Sequence, residues 1–230
     1  MKNLQDIIQE KLQIGSKTKV SSYKYKPENK DELIEIIDKL IEERGKDADL
    51  NDIDTSKIED MSSLFYGLDP HNINISKWDV SNVIDMAWMF ADCENFNSDL
   101  SKWDVSKVDG MERMFDNCKK FNSDLSGWNV SNINDMDHMF NRCSIFNSDL
   151  SKWNVSNVKY MSNMFDKCEQ FNSDLSKWDV SNVTNMTWMF YDCYNFKSDL
   201  SKWNVSKNVN MKKMFFGSGI ENNPPEWYKK

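Results

Sequence analysis

Glycine and proline are scarce in this chain, 7 and 4 among 230 residues, so no flexible or proline-rich linker divides it. Histidine occurs only twice, as His71 and His138, and no Ser or Cys recurs beside either. A nucleophile needs a base within hydrogen-bond reach, so the sequence points away from an enzyme. There is no Gly-rich phosphate loop and no closely paired Cys or His of the kind that holds zinc. The formal net charge is -8, which argues against nucleic acid as a partner, because phosphate binding rests on Lys and Arg. No apolar run approaches the roughly 18 residues of a membrane span. The first residues, Met1 to Glu10, lack a continuous apolar core and a small-residue cleavage site. That start predicts a cytoplasmic chain, or a fragment whose signal has been removed.

What the chain does contain is one unit copied. Trp78, Trp103, Trp128, Trp153, Trp178 and Trp203 are spaced by 25. Cys93, Cys118, Cys143, Cys168 and Cys193 keep the same step, as do Phe96, Phe121, Phe146, Phe171 and Phe196. The pair Met86/Met89 recurs through Met211/Met214, and with Met61 these rows hold every methionine except Met1. A degenerate copy comes first, with Leu50, Ile53, Thr55, Met61, Leu64, Phe65 and Leu68 in the Leu, Trp, Val, Met, Met, Phe and Cys places.

Two periodicities share each unit. Trp103 and Val105 alternate with Lys102 and Asp104, which is strand spacing. Val108, Met111, Met114, Phe115 and Cys118 fall on one face of a short helix, with Ser106 placed as its N-cap. The expected fold is therefore α/β: a right-handed leucine-rich-repeat-like solenoid with one short parallel strand and one short helix per 25-residue repeat. Open ends of such a stack need polar covers. Residues 1–27 read as an N-terminal extension, where Leu4, Ile7, Ile8 and Leu12 suggest a short helix. Residues 28–49 read as an N-terminal capping helix stopped by Gly45, with Leu33, Ile37, Leu40 and Ile41 on the open end. The repeats fill 50–216, and 217–230 form a C-terminal cap in which Pro224 to Tyr228 fold back as a lid.

The recurring wording Phe-Asn-Ser-Asp-Leu-Ser-Lys-Trp-Asp-Val-Ser, continuing through Val108, Met111, Met114-Phe115 and Cys118, resembles a known family. It is similar to the BspA-like leucine-rich-repeat surface proteins, in the variant abundant in mycoplasma-type lipoproteins. The likeness covers residues 24 to 215 or so and includes the Tyr25-Lys26-Pro27 lead-in. It implies a leucine-rich-repeat-like fold and a role in adhesion or protein binding, with no enzyme activity and no cofactor. It also implies a cell-surface or secreted location, although this chain shows neither signal nor lipidation motif.

Each row carries two readings. The cysteines are a buried thiol ladder or, at about 5 Å apart, partners for disulfides. The tryptophans share strand parity with Val105 and so point inward; outward, they would make a sugar-binding platform. Asp99, Asp124, Asp149, Asp174 and Asp199 bond to turn backbone or, stacked, form a calcium row. Lys102, Asp104, Lys177 and Asp179 belong to a charged outward face whose opposite charges pair with one another, and that face is one candidate binding surface.

The other candidate is marked by variation within the chain. Between the paired methionines the copies read Ala87-Trp88, Glu112-Arg113, Asp137-His138, Ser162-Asn163, Thr187-Trp188 and Lys212-Lys213. The positions flanking Cys vary too, as in Asn141-Arg142 and Tyr191-Asp192 with Tyr194. No common packing constrains these places, so they are expected to face solvent. Trp88, Arg113, His138, Arg142, Trp188, Tyr191 and Tyr194 are the anchors expected there for a protein partner of unknown identity. A carbohydrate-binding or host-adhesion surface is the alternative. No metal, cofactor or membrane insertion is expected, and the oligomeric state is left open.

Overall fold

The computed structural model describes residues 23–229. The helix expected around Leu4, Ile7, Ile8 and Leu12 lies outside them.

Each unit closes as a chain of three-residue steps. The amides of Trp103, Val108, Met114, Cys118 and Phe121 donate to the carbonyls of Leu100, Val105, Met111, Phe115 and Cys118. An α-helix would need bonds from i to i−4. It cannot propagate here, because Arg113 and Asn117 sit at φ 54° and 61°, and a left-handed residue turns the chain before another helical bond forms. Between these turns the amides of Arg113, Phe115 and Asn117 donate to Asp137, Met139 and Asn141 in the next coil. Amides thus alternate between their own coil and the next one. The two left-handed rows run through the stack: Trp88, Arg113, His138, Asn163, Trp188 and Lys213 in one, and Asp92, Asn117, Arg142, Lys167 and Asp192 in the other. Gly67 and Gly217, both at φ 70°, stand at the two ends of the second row.

The α/β expectation, a right-handed leucine-rich-repeat-like solenoid with a strand and a helix in every repeat, is therefore overturned. The described residues contain one α-helix, α1 (Lys30–Arg44), one terminal 3-10 helix (Glu226–Lys229) and no strand. Parallel pairing shrinks to single bridges, such as Asp85 with Gly110 and Gly110 with Asp135. Spacings of i, i+3, i+6 and i+7 fit a helical stripe and a string of turns equally well, and hydrogen bonding decides between them. Ser106 is not a helix cap; its amide donates to Asp104 Oδ1 at 3.1 Å, which makes the segment an Asx turn.

The apolar rows meet inside the stack. Phe115 lies 5.6 Å from Phe140 at an interplanar angle of 7°, and 4.0 Å from Phe121 within its own unit. Phe121 stacks on Phe146 at 5.9 Å. Such pairs are worth about 0.5–1.5 kcal/mol each beyond the area they bury. The polar tips of the core side chains tie coil to coil. Trp128 Nε1 donates to the Leu100 carbonyl at 3.0 Å, and Cys118 Sγ to the Phe90 carbonyl at 3.0 Å. The outer edge carries an asparagine ladder, in which Asn97, Asn122 and Asn147 each accept the amide one coil further on.

Both ends are covered. Asn29 caps α1 by accepting the Glu32 amide, and Gly45 ends it at φ 83°. Leu33, Ile37 and Leu40 are fully buried against the first coil, while Ile41 is only partly so. Lys30–Asp60 at 3.0 Å and Arg44–Asp52 at 2.8 Å bind helix to coil. In the degenerate coil Leu68 departs from expectation, being 38% exposed where later copies bury Cys. At the far end Trp227 takes the place of a further row tryptophan. It stacks on Trp203 at 6.1 Å and donates to the Leu200 carbonyl at 2.8 Å. No helix among the described residues is long and apolar enough to cross a membrane.

Lys167 is exposed at φ 59°, a geometry that a Cβ disfavours. Lys167→Gly should stabilise the protein by about 0.5–1 kcal/mol, the relief of left-handed strain exceeding the entropy glycine adds to the unfolded chain. Urea unfolding of the two proteins checks this.

Candidate functional site

On one side of the stack the left-handed turn brings residue i onto residue i+3. Trp188 stacks on Tyr191 at 4.9 Å, and Arg113 bonds Asp116 at 2.8 Å. The variable positions therefore form two touching rows. One runs Trp88, Arg113, His138, Asn163, Trp188, Lys213; the other Ala91, Asp116, Asn141, Asp166, Tyr191, Phe216.

These rows are not freely exposed, contrary to the sequence expectation. Trp88, Arg113, His138, Trp188 and Tyr191 are half-buried, and Asn141 and Asp166 are buried. Lateral contact covers part of Trp188 with Tyr191 and of Arg113 with Asp116. Arg142 and Tyr194 do face solvent, Tyr194 at 56%. Aromatic groups gather at both ends of the face. Tyr66 meets Trp88 edge-on at 5.9 Å, and the Arg113 guanidinium lies 4.6 Å over the Trp88 ring. At the other end Tyr191 stacks on Phe216 at 5.1 Å, and Lys213 reaches both Trp188 and Phe216.

The middle of the face is polar and under-paired. His138 Nδ1, Asn141 Oδ1, Asp166 Oδ1 and Thr187 Oγ1 are closed off from solvent without a hydrogen-bond partner. Asn141 spends its amide on Asp116 Oδ1 at 2.8 Å, and Asn163 turns its own onto Ser162 Oγ at 2.9 Å. Leaving such groups unpaired costs about 1–3 kcal/mol each. Burial pushes the carboxyls of Asp137 and Asp166 up to about 6; the Ser162 amide partly offsets this at Asp137, and Lys167 at Asp166. Burial also raises Asp116 and Asp135, with Arg113 opposing it at Asp116. His138 is pushed down to about 4 by burial, then by Arg113 and Arg142.

The other candidate surface is plainer. Lys102, Asp104, Lys177 and Asp179 are all exposed. The expected pairing of opposite charges there is not found: among the described residues none of the four joins an ion pair. The carboxylates turn instead to the serine two residues on, Asp104 to Ser106 and Asp179 to Ser181, and its hydroxyl first and its amide second hold both below the usual carboxylate range. The Asp99 row behaves likewise, each Oδ1 accepting the amide two residues on. No group of three or more His, Cys, Asp or Glu side chains among the described residues is arranged to hold a metal.

The tryptophan row is only 3–4% exposed, so its indoles offer no platform to a sugar. The five cysteines are buried free thiols. Burial drives Cys93 up to about 12 and pushes the other four well above the usual thiol value, so none is a ready thiolate. Sequence reasoning counted Asn141 and Thr187 only among variable positions facing solvent, and did not single out Asp166. For Asn141 and Asp166 the one signal was that polar residues stand at 141 and 166 where other copies place Ala91, Tyr191 or Phe216.

A carboxyl whose folded value lies above its unfolded 3.8 binds its proton more tightly in the fold. The stability it contributes is full below 3.8 and is lost as pH rises through about 6. His138 acts in the opposite sense, losing stability as pH falls from 6.5 through about 4. Asp166→Asn removes one carboxyl and gives Asn141 a donor. Its melting temperature should exceed that of the native protein above pH 6, with the advantage shrinking as pH falls toward 3.8. A difference independent of pH would contradict the assignment.

No curated protein and no solved structure matches the chain. One family does, described as "Mycoplasma protein of unknown function, DUF285", over residues 37–151 and again over 123–227. Together the two matches run through the second half of α1 and all of the repeats, so the chain belongs to the DUF285 family.

Proposed function

We propose that this protein is a non-enzymatic repeat scaffold that binds another protein through the two variable rows. The observation that carries the reading is the contrast between a core copied nearly unchanged and one face that differs in every coil. Uniform coils hold that face at fixed spacing, and Tyr66/Trp88 and Trp188/Tyr191/Phe216 supply anchors at its two ends. Covered ends weigh against growth by end-to-end stacking, because α1 and Trp227 occupy the places another coil would take. The resemblance to BspA-like surface proteins agrees with a binding role and extends it to adhesion at a cell surface.

Capture of proteins from the native host tests this with two variants. Trp188→Ala should lose the bound protein, and Lys102→Ala on the charged face should keep it. Because Trp188 is half-buried, the melting temperature of each variant is measured alongside. Loss with Lys102→Ala and retention with Trp188→Ala would place binding on the opposite face and reject the proposal.

A further inference from the structure

The chain has three arginines, and two of them are bonded to carboxylates within the protein. Arg44 forks onto Asp52 at 3.0 and 2.8 Å, and Arg113 reaches Asp116 at 2.8 Å. Arg142 differs. Its amide is fixed on the Asp166 carbonyl at 2.7 Å, but its exposed guanidinium forms no hydrogen bond, ion pair or ring contact among the described residues. Lys167 in the next coil is in the same state, exposed and unpaired, with its amide fixed on the Tyr191 carbonyl at 2.8 Å. The carboxyl of Asp166 feels both cations through space, yet it is buried and bonds neither. Together with Lys119 the two border an open depression of about 260 Å³, whose remaining lining is Ser144 and Glu169. The stems of the long side chains make its walls mostly apolar. Lys119 is taken up by Glu94 at 2.6 Å, and Glu169 is the one carboxylate of the lining. The depression thus carries a local cationic excess on a chain whose net charge is -8. It adjoins the variable rows, since Arg142 follows Asn141, and its coil stands midway between those of Trp88 and Trp188.

We propose that this depression receives the carboxylate of a glutamate or aspartate side chain on a protein partner, held between the Arg142 guanidinium and the Lys167 ammonium. The guanidinium offers a planar fork that matches the two oxygens of a carboxylate. Neighbouring coils run about 4.8 Å apart, so a single carboxylate reaches both heads. Backbone bonds already fix the two residues on their coils, which lowers the ordering cost of the contact. Apolar walls strengthen it by keeping water away. A nucleic acid fits less well, because Glu94, Glu169 and Asp192 flank the site and would repel a continuous phosphate chain. The inference rests on the variable rows being the binding face and adds a charged contact at its middle, between the aromatic ends.

Three arginines allow a direct test on the full chain. With ¹⁵N-arginine labelling, NMR at pH 6.5 reads each Nε–H, and Arg142→Lys identifies the Arg142 signal. The probe is a blocked peptide, Gly-Ser-Glu-Ser-Gly, compared with its glutamine version and with inorganic phosphate at equal ionic strength. The glutamate peptide should shift the Arg142 signal to saturation and leave Arg44 and Arg113 in place, and the glutamine version should shift none. Lys167→Gln should weaken peptide binding at least threefold and Glu169→Gln should tighten it at least twofold, while Lys102→Gln leaves it unchanged. An unmoved Arg142 signal overturns the proposal, as does equal movement of all three arginines, an equal response to the glutamine peptide, a response to phosphate alone, or equal loss with Lys102→Gln. Capture from the native host separates this from the choice of face. If Trp188→Ala loses the bound protein and Arg142→Gln keeps it, the face stands and the carboxylate site falls. If Arg142→Gln loses it and Trp188→Ala keeps it, the site stands and the variable rows fall; if both keep it, both fall.

Discussion

In every coil but the last, alternate turn amides have no partner within that coil, and only a second coil in register supplies one. Arg113, Phe115 and Asn117 donate forward to Asp137, Met139 and Asn141, while the amides between them close turns at home. Buried backbone donors must be paired. A coil is thus incomplete alone in two senses at once, in its hydrogen bonds and in its apolar surface. The strict 25-residue step follows from this, since a slip would misplace every forward bond together with every phenylalanine.

The same requirement explains the choice of core residues. Tryptophan and cysteine recur at positions where a plain hydrophobe would fill space but carry no donor. Each indole N–H and each thiol reaches a carbonyl of the preceding coil, as Trp153 does to Leu125 and Cys168 to Phe140. Those carbonyls already accept a turn amide, and the core side chain occupies their second lone pair. Packing and register are therefore specified by the same atoms.

Much of the inside was legible in the sequence, and little of the backbone was. The 25-step rows of Trp, Cys, Phe and Met pointed inward as read, because repetition is itself the signature of stacking. The strand and helix were not there to be found: Trp103 and Val105 flank a turn boundary, and Met111 to Cys118 are turns with Arg113 and Asn117 left-handed. Nothing in Arg113 or His138 announces a positive φ; Gly67 and Gly217 at the two ends of the neighbouring left-handed row were the faint clue. On the variable face, the assumption that inconstant positions must be exposed failed at Asn141 and Asp166. Those two are buried, while Asp116 and Tyr191 of the same row are half-buried and Phe216 is exposed.

Hydrogen exchange of the nine tryptophan indoles, followed by NMR, tests the central claim most directly. In a register-locked stack the indoles of Trp78, Trp103, Trp128, Trp153, Trp178, Trp203 and Trp227 each donate to another coil's carbonyl. The inner row should exchange only through global unfolding, whereas Trp88 and Trp188 on the variable face should exchange quickly. Rapid exchange of Trp128 and Trp153, at the centre of the stack, would contradict the account.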